Sequence, residues 1–107
     1  MAKKRTADAI EILNRRFYKT KKAQALLEEA RAGAEIARRI YKLRTDAGLT
    51  QAQLAKLVST SRPVITRLED DDYSGHSLSM LRRIAAALDK RVEIRFVSLK
   101  RGRTQMA

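Results

Sequence analysis

The chain contains no cysteine and no tryptophan, one histidine (His76) and one proline (Pro63) in 107 residues. Without thiols there is no disulfide framework, no thiolate nucleophile and no zinc site built on sulfur. A single histidine also excludes a multi-histidine metal site within one chain. Aromatic residues are few (Phe17, Tyr18, Tyr41, Tyr73 and Phe96), so the core is expected to be aliphatic. Long apolar stretches are missing too. The longest uninterrupted one, residues 84–88, is far short of a membrane span or a signal-peptide core. These absences point to a soluble, cytoplasmic protein with no membrane contact. The length suits one domain with a modest core.

What is present in excess is positive charge. Lysine and arginine number 24 against 12 acidic residues, a net +12. Such a surplus favours a polyanionic partner, because bound lysine and arginine release the counterions condensed on phosphates. The charge is uneven: residues 1–48 carry net +7, residues 49–76 net −1 and residues 77–107 net +6. A nucleic-acid reader in the middle would draw its electrostatic attraction mostly from the flanks.

Apolar periodicity predicts a mostly helical chain. Residues 1–5 read as a disordered tail. Thr6 is placed to cap a short helix with Ile10, Leu13 and Phe17 on one stripe. The pattern lapses at Lys19-Thr20-Lys21-Lys22. A longer helix follows from about Ala23 to Ala47, with Gly33 as a soft point and Gly48 as its left-handed stop. Two short helices come next. Thr50 caps the first, over about 51–58. The second, over about 62–69, has Pro63 in its first turn and either Ser61 or Arg62 as N-cap. Asp70 to His76 has turn composition. Ser77 caps a last helix that aligns Leu78, Leu81, Ile84, Ala85 and Leu88. Then the period becomes two: Val92, Ile94 and Phe96 alternate with Glu93 and Arg95, predicting one β-strand. The tail from Lys100 to Ala107 is basic and expected to fray.

The segment LTQAQLAKLVSTSRPVITRLED has the parts of a helix–turn–helix. Ala55 is small where two helices would cross, and Leu54, Val58, Ile65 and Leu68 face a core. Residues 59–61 make the turn. Arg62, Pro63, Val64, Thr66 and Arg67 are left pointing outward, on the surface that enters the major groove in this motif. The triple Asp70-Asp71-Asp72 lacks the spacing and distal glutamate of a calcium loop. His76 has no nucleophile or third member at a useful spacing. No glycine-rich phosphate loop is present. No catalytic site, metal or cofactor is expected.

Through Leu49-Thr50-Gln51, Leu54-Ala55 and Val64-Ile65-Thr66-Arg67-Leu68-Glu69 the sequence resembles the Cro/repressor-type (XRE) helix–turn–helix family, from about Glu35 to Leu88. The helical N-terminal extension, EIARRIYKLR and YSGHSLSMLRRIAAALDKRVEIRF are similar to HigA-type antitoxins of type II toxin–antitoxin systems. The resemblance implies a lambda-repressor-like helical bundle with an N-terminal helical extension and one C-terminal strand. It divides the chain into 1–34, an extension assigned to toxin binding; 35–89, the DNA-binding domain; and 90–107, a dimerising strand and basic tail. DNA contact is implied for Thr50, Gln51 (to phosphate), Ser61, Arg62, Pro63, Val64, Thr66 and Arg67. Arg44 and Glu69 match a structural ion pair beneath the recognition helix.

The partners implied are double-stranded DNA with a palindromic operator, a second copy through Val92, Ile94 and Phe96, and a HigB/RelE-like toxin. The function implied is sequence-specific repression, autoregulating a toxin–antitoxin operon; a stand-alone XRE-type regulator is the alternative. Three departures stand out. Ser59 replaces the usual turn glycine, predicting a wider turn. Pro63 replaces a flexible polar residue, predicting one apolar or missing base contact. The chain is basic where many such antitoxins are acidic.

Overall fold

The computed structural model describes the backbone of residues 2–98 and the side chains of residues 8–98. Four helices follow in order: α1 (Ala2–Asp46), α2 (Gln51–Leu57), α3 (Arg62–Leu68) and α4 (Leu78–Ala87). The expected basic tail at 100–107 lies outside the described residues.

The first helix corrects three expectations. The start is not a disordered tail, Thr6 lies inside the helix rather than capping it, and Lys19–Lys22 is no break. The apolar stripe does lapse there, but a lapse in polarity is not a stop signal. Lysine and alanine are good helix formers, and residues 2–32 contain neither proline nor glycine. Exposed i,i+3 and i,i+4 pairs support the helix: Glu28–Arg31, Arg31–Glu35 at 3.3 Å, Arg39–Glu35 at 3.9 Å and Lys42–Asp46 at 3.1 Å. Each such pair contributes a few tenths of a kcal/mol at most.

Only the second half of α1 belongs to the core. Gly33, Ala37, Ile40 and Arg44 are buried at spacings of four, three and four, one face of a helix. Against that face pack Leu54, Ala55 and Val58 of the α2 segment, Ile65 and Leu68 of α3, and Ile84 of α4. Leu54, Ile65 and Ile84 are completely buried. Before Gly33 the helix projects from the domain, and the molecule measures 69 Å along its longest axis.

Gly33 is a point of close approach rather than a hinge. A Cβ there would lie 2.6 Å from the Tyr73 carbonyl oxygen and 2.8 Å from Ser74 Cα. The loop after α3 therefore rests its backbone directly on α1. The Ser74 hydroxyl reinforces this by donating to Glu29 at 3.4 Å.

Three of the four helices, α1, α2 and α4, close with left-handed residues at Gly48 (φ 74°), Ser59 (φ 57°) and Asp89 (φ 61°). At each, the N–H of the next residue reaches back five positions: Leu49 to Arg44 at 3.1 Å, Thr60 to Ala55 at 2.8 Å and Lys90 to Ala85 at 2.7 Å. That is the Schellman arrangement. The expectation that Ser59 would widen the turn is thus corrected. The tight turn is kept, at the steric cost of a side chain in the left-handed region.

No strand is found among the described residues. Residues 91–98 are neither helix nor ladder, because the described residues offer no strand with which Val92, Ile94 and Phe96 could pair.

Two substitutions should move stability in opposite directions. Gly33→Ala, despite alanine's better helix propensity, is expected to cost about 1–3 kcal/mol by overpacking against the loop backbone. Ser59→Gly is expected to stabilise by about 0.5 kcal/mol, the relieved strain exceeding the added unfolded-state entropy. Urea melts of both variants check the signs.

Candidate nucleic-acid interface

The site is built by fixing the short helix α3 on a rigid base. Ser61 is its N-cap, in extended conformation and without a side-chain cap bond, which settles the choice left open with Arg62; Pro63 follows in the first turn. Ile65 and Leu68, three residues apart, anchor the inner face. Arg62, Pro63, Thr66 and Arg67 are exposed, at i,i+4 spacings that make two adjoining ridges. Val64 departs from expectation, being half-buried and packed on the core rather than fully outward.

Beneath α3 lies a charged network. Arg44 of α1 donates from Nε to Glu69 Oε2 at 2.6 Å and from Nη2 to Glu69 Oε1 at 3.0 Å, while its Nη1 donates to the Leu49 carbonyl at 2.8 Å. The two side chains are only 10% and 4% exposed. The guanidinium also lies 5.3 Å from the centre of the Tyr41 ring. Hydrogen bonding to Glu69 raises the Arg44 pKa above the ordinary arginine value, against the opposing effect of burial. A raised cationic pKa means that this contribution is fully present below the unperturbed arginine value and is lost only at more alkaline pH.

The network continues to the surface. Gln51 Nε2 donates to Glu69 Oε1 at 3.1 Å, and the Thr66 hydroxyl donates to Gln51 Oε1 at 2.8 Å. Thr66 Oγ1 also lies 3.1 Å from the Arg62 carbonyl oxygen. Gln51 thus ties the start of α2 to the middle of α3. Its carboxamide retains one N–H for another acceptor. Thr50 caps α2 in a capping box with Gln53: its Oγ1 accepts from the Gln53 N–H at 3.1 Å and its own N–H donates to Gln53 Oε1 at 2.8 Å. Among the described residues the guanidinium groups of Arg62 and Arg67 make no ion pair.

Two further side chains support α3 and its turn, and of these only His76 is expected from the sequence, to bury a ring edge or support the loop. Arg83 of α4 donates from Nη2 to the Val58 carbonyl, and the same atom lies 3.4 Å from the Ser59 carbonyl oxygen. It clamps the strained turn between α2 and α3. His76 Nε2 sits 2.7 Å from the Leu68 carbonyl oxygen, so it donates to the end of α3 and Tyr73 stacks edge-on at 5.0 Å. The Arg83 clamp is not signalled locally, since Arg83 lies 25 positions from Val58 and looks like one basic residue among many. Asp70 accepts from the Asp72 N–H at 2.9 Å in a local turn. No group of three or more metal-binding side chains occurs among the described residues.

Breaking the buried pair should be costly. Glu69→Ala leaves Arg44 charged in a site from which water is largely excluded, and a loss of about 3–5 kcal/mol is expected. Replacing both, Arg44→Met with Glu69→Leu, is expected to recover most of it. Equilibrium unfolding of the single and double variants measures the difference.

The arrangement is two short helices joined by a tight turn, the second held from below and bare above. No curated protein matches the chain. No helix among the described residues is long and apolar enough to cross a membrane. A family model described as a helix-turn-helix domain matches residues 17–97, three-quarters of the chain, and the protein belongs to that family.

Proposed function

We propose that the protein is a sequence-specific DNA-binding repressor that places α3 in the major groove. The observation that carries this reading is the pair Arg62 and Arg67. Both are exposed and, among the described residues, without ion pairs, on a helix whose other face is fixed by Ile65, Leu68 and the Gln51–Thr66 bond. A planar guanidinium held in this way is suited to bidentate contact with guanine O6 and N7. Thr50, Ser61 and the spare N–H of Gln51 border the same surface and suit phosphate contact. Pro63 offers only an apolar edge, and Val64 reaches the surface in part.

The net charge of +12 supplies the sequence-independent attraction. A repressor of this kind reads a palindromic operator as a dimer, with half-sites about 34 Å apart. A gel-shift comparison tests the reading, using a duplex selected from a random library against a scrambled control. Arg62→Ala and Arg67→Ala are each expected to cost about 1–3 kcal/mol on the selected duplex and little on the control. Parent-like binding by both variants would refute the assignment of α3.

A protein partner is favoured by a second observation. Ahead of the core, Ile10, Leu13, Phe17 and Leu27 are 52–72% exposed on the projecting part of α1. An apolar stripe on a helix that no other described residue covers is the form of an interaction surface. This suits the antitoxin reading, in which the segment before Glu35 holds a HigB/RelE-like toxin and the pair autoregulates its operon. Co-expression with the product of the neighbouring reading frame is expected to yield a complex that Leu13→Asp with Phe17→Asp abolishes. Absence of any complex would leave the stand-alone regulator.

A further inference from the structure

Helical phase gives the projecting part of α1 two unlike sides. The core face of α1 runs through Gly33, Ala37, Ile40 and Arg44. Followed back along the uninterrupted helix, the same face passes Leu26 and then Lys22, Lys19 and Arg15, at spacings of four, three and four. From Arg15 to Arg44 the helix makes about eight whole turns, so the two ends share a direction to within about 20°. At the far end α3 packs on that face, where Arg44 bonds Glu69, and its exposed residues lie beyond its inner anchors. Arg15, Lys19 and Lys22 therefore point to the side of the molecule on which Arg62 and Arg67 are exposed. Leu13 and Phe17 point away from it. They stand two residues before Arg15 and Lys19 respectively, about 200° around the axis.

We infer that Arg15, Lys19 and Lys22 form a second DNA contact, gripping phosphates of the duplex that flanks the site read by α3. Charge decides the occupant. Residues 12–27 contain five lysines and arginines and no carboxylate side chain. The three stripe residues are exposed. Lys19 and Lys22 make no ion pair among the described residues, and Arg15 has an exposed one, 3.8 Å from Glu11. Such a pair is weak and screened by salt, so it yields to a phosphate. A rigid row of cations, uninterrupted by carboxylates, is the complement of a phosphate backbone.

The two basic surfaces are separate patches. The loop with Asp70, Asp71 and Asp72 leads from the end of α3 to the point where Tyr73 and Ser74 meet Gly33, and its carboxylates repel phosphate. Past Gly33 the stripe begins about 17 Å farther along α1 and ends about 27 Å away. Measured along a duplex at about 3.4 Å per base pair, that is about 5–8 base pairs past the loop. The second contact rests on the DNA-binding reading and adds affinity without sequence preference, since phosphate contacts position and base contacts specify.

The test uses the full chain and two forms of the duplex that it selects from a random library. One is the bound site alone, and the other adds about one helical turn, roughly ten base pairs, at each side. Lys19→Gln with Lys22→Gln is expected to lower the salt slope on the extended duplex by about 1.8 for each copy bound, about 0.9 per lost phosphate contact. On the short duplex it is expected to bind like the parent. Arg16→Gln with Lys21→Gln removes as much charge from the same stretch, but Arg16 and Lys21 stand about 100° from Arg15 and Lys22. The parental slope is expected for that pair on both duplexes. Glutamine is a good helix former, and circular dichroism verifies that both variants fold. A parental slope for the Lys19 and Lys22 pair on the extended duplex overturns the inference. So does an equal fall for the Arg16 and Lys21 pair, or an equal fall on the short duplex. In each of these cases a loss of specific binding by Arg62→Ala and Arg67→Ala leaves the assignment of α3 standing. A parent that selects no duplex overturns both.

Discussion

Arg44 sits where the three parts of the domain meet. One guanidinium on α1 holds the carboxylate that ends α3 and the carbonyl of Leu49, the residue leading into α2. Glu69 then passes the constraint to Gln51, and Gln51 passes it to Thr66. The orientation of α3 is therefore set from beneath by directional bonds as well as by the burial of Ile65 and Leu68. Apolar packing alone fixes how deep a seven-residue helix lies better than how it is rotated. Forked, charge-assisted bonds fix rotation as well. The proposed contact of Arg62 and Arg67 with base edges would need that second constraint, since small rotations displace long side chains by more than a hydrogen-bond length.

A second layer of support comes from groups that serve carbonyls. Arg83 reaches the Val58 and Ser59 carbonyls in the turn, and His76 reaches the Leu68 carbonyl at the end of α3. Helix ends leave acceptors unsatisfied, and a seven-residue helix is nearly all ends. Both clamps come from α4 and the loop before it, so this part of the chain completes the motif without joining its outer surface.

Much of this was legible in the sequence because the short helices are strongly punctuated. Thr50 with Gln53, Pro63 in a first turn, Gly48 after a last turn and Ser77 before Leu78 each have a local physical meaning, and the core positions recur at helical spacing. The misreadings arose where the local signal was negative or ambiguous. The basic stretch Lys19–Lys22 interrupts an apolar stripe but not a backbone. Ser59 takes a conformation that its own preferences oppose, because Arg83 and the Thr60 N–H hold it there. Gly33 reads as weakness along the helix, and only the loop from Tyr73 to Ser74, forty residues later in the chain, reveals why no side chain fits. The alternation of Val92, Ile94 and Phe96 describes a strand, but a strand needs a neighbour, and the described residues contain none.

The continuity of α1 has a geometric consequence. Its projecting part and its core part are one uninterrupted helix, with Gly33 wedged in place instead of free to bend. Anything seated near Leu13 and Phe17 is then indexed to the exposed face of α3 in both distance and angle. Each residue of helix advances about 1.5 Å and turns about 100°. Lengthening the arm by two residues would swing a bound partner to nearly the opposite side of the axis while moving it only about 3 Å outward. The length of the arm matters less as reach than as phase, in the way that a key's teeth depend on its rotation in the lock.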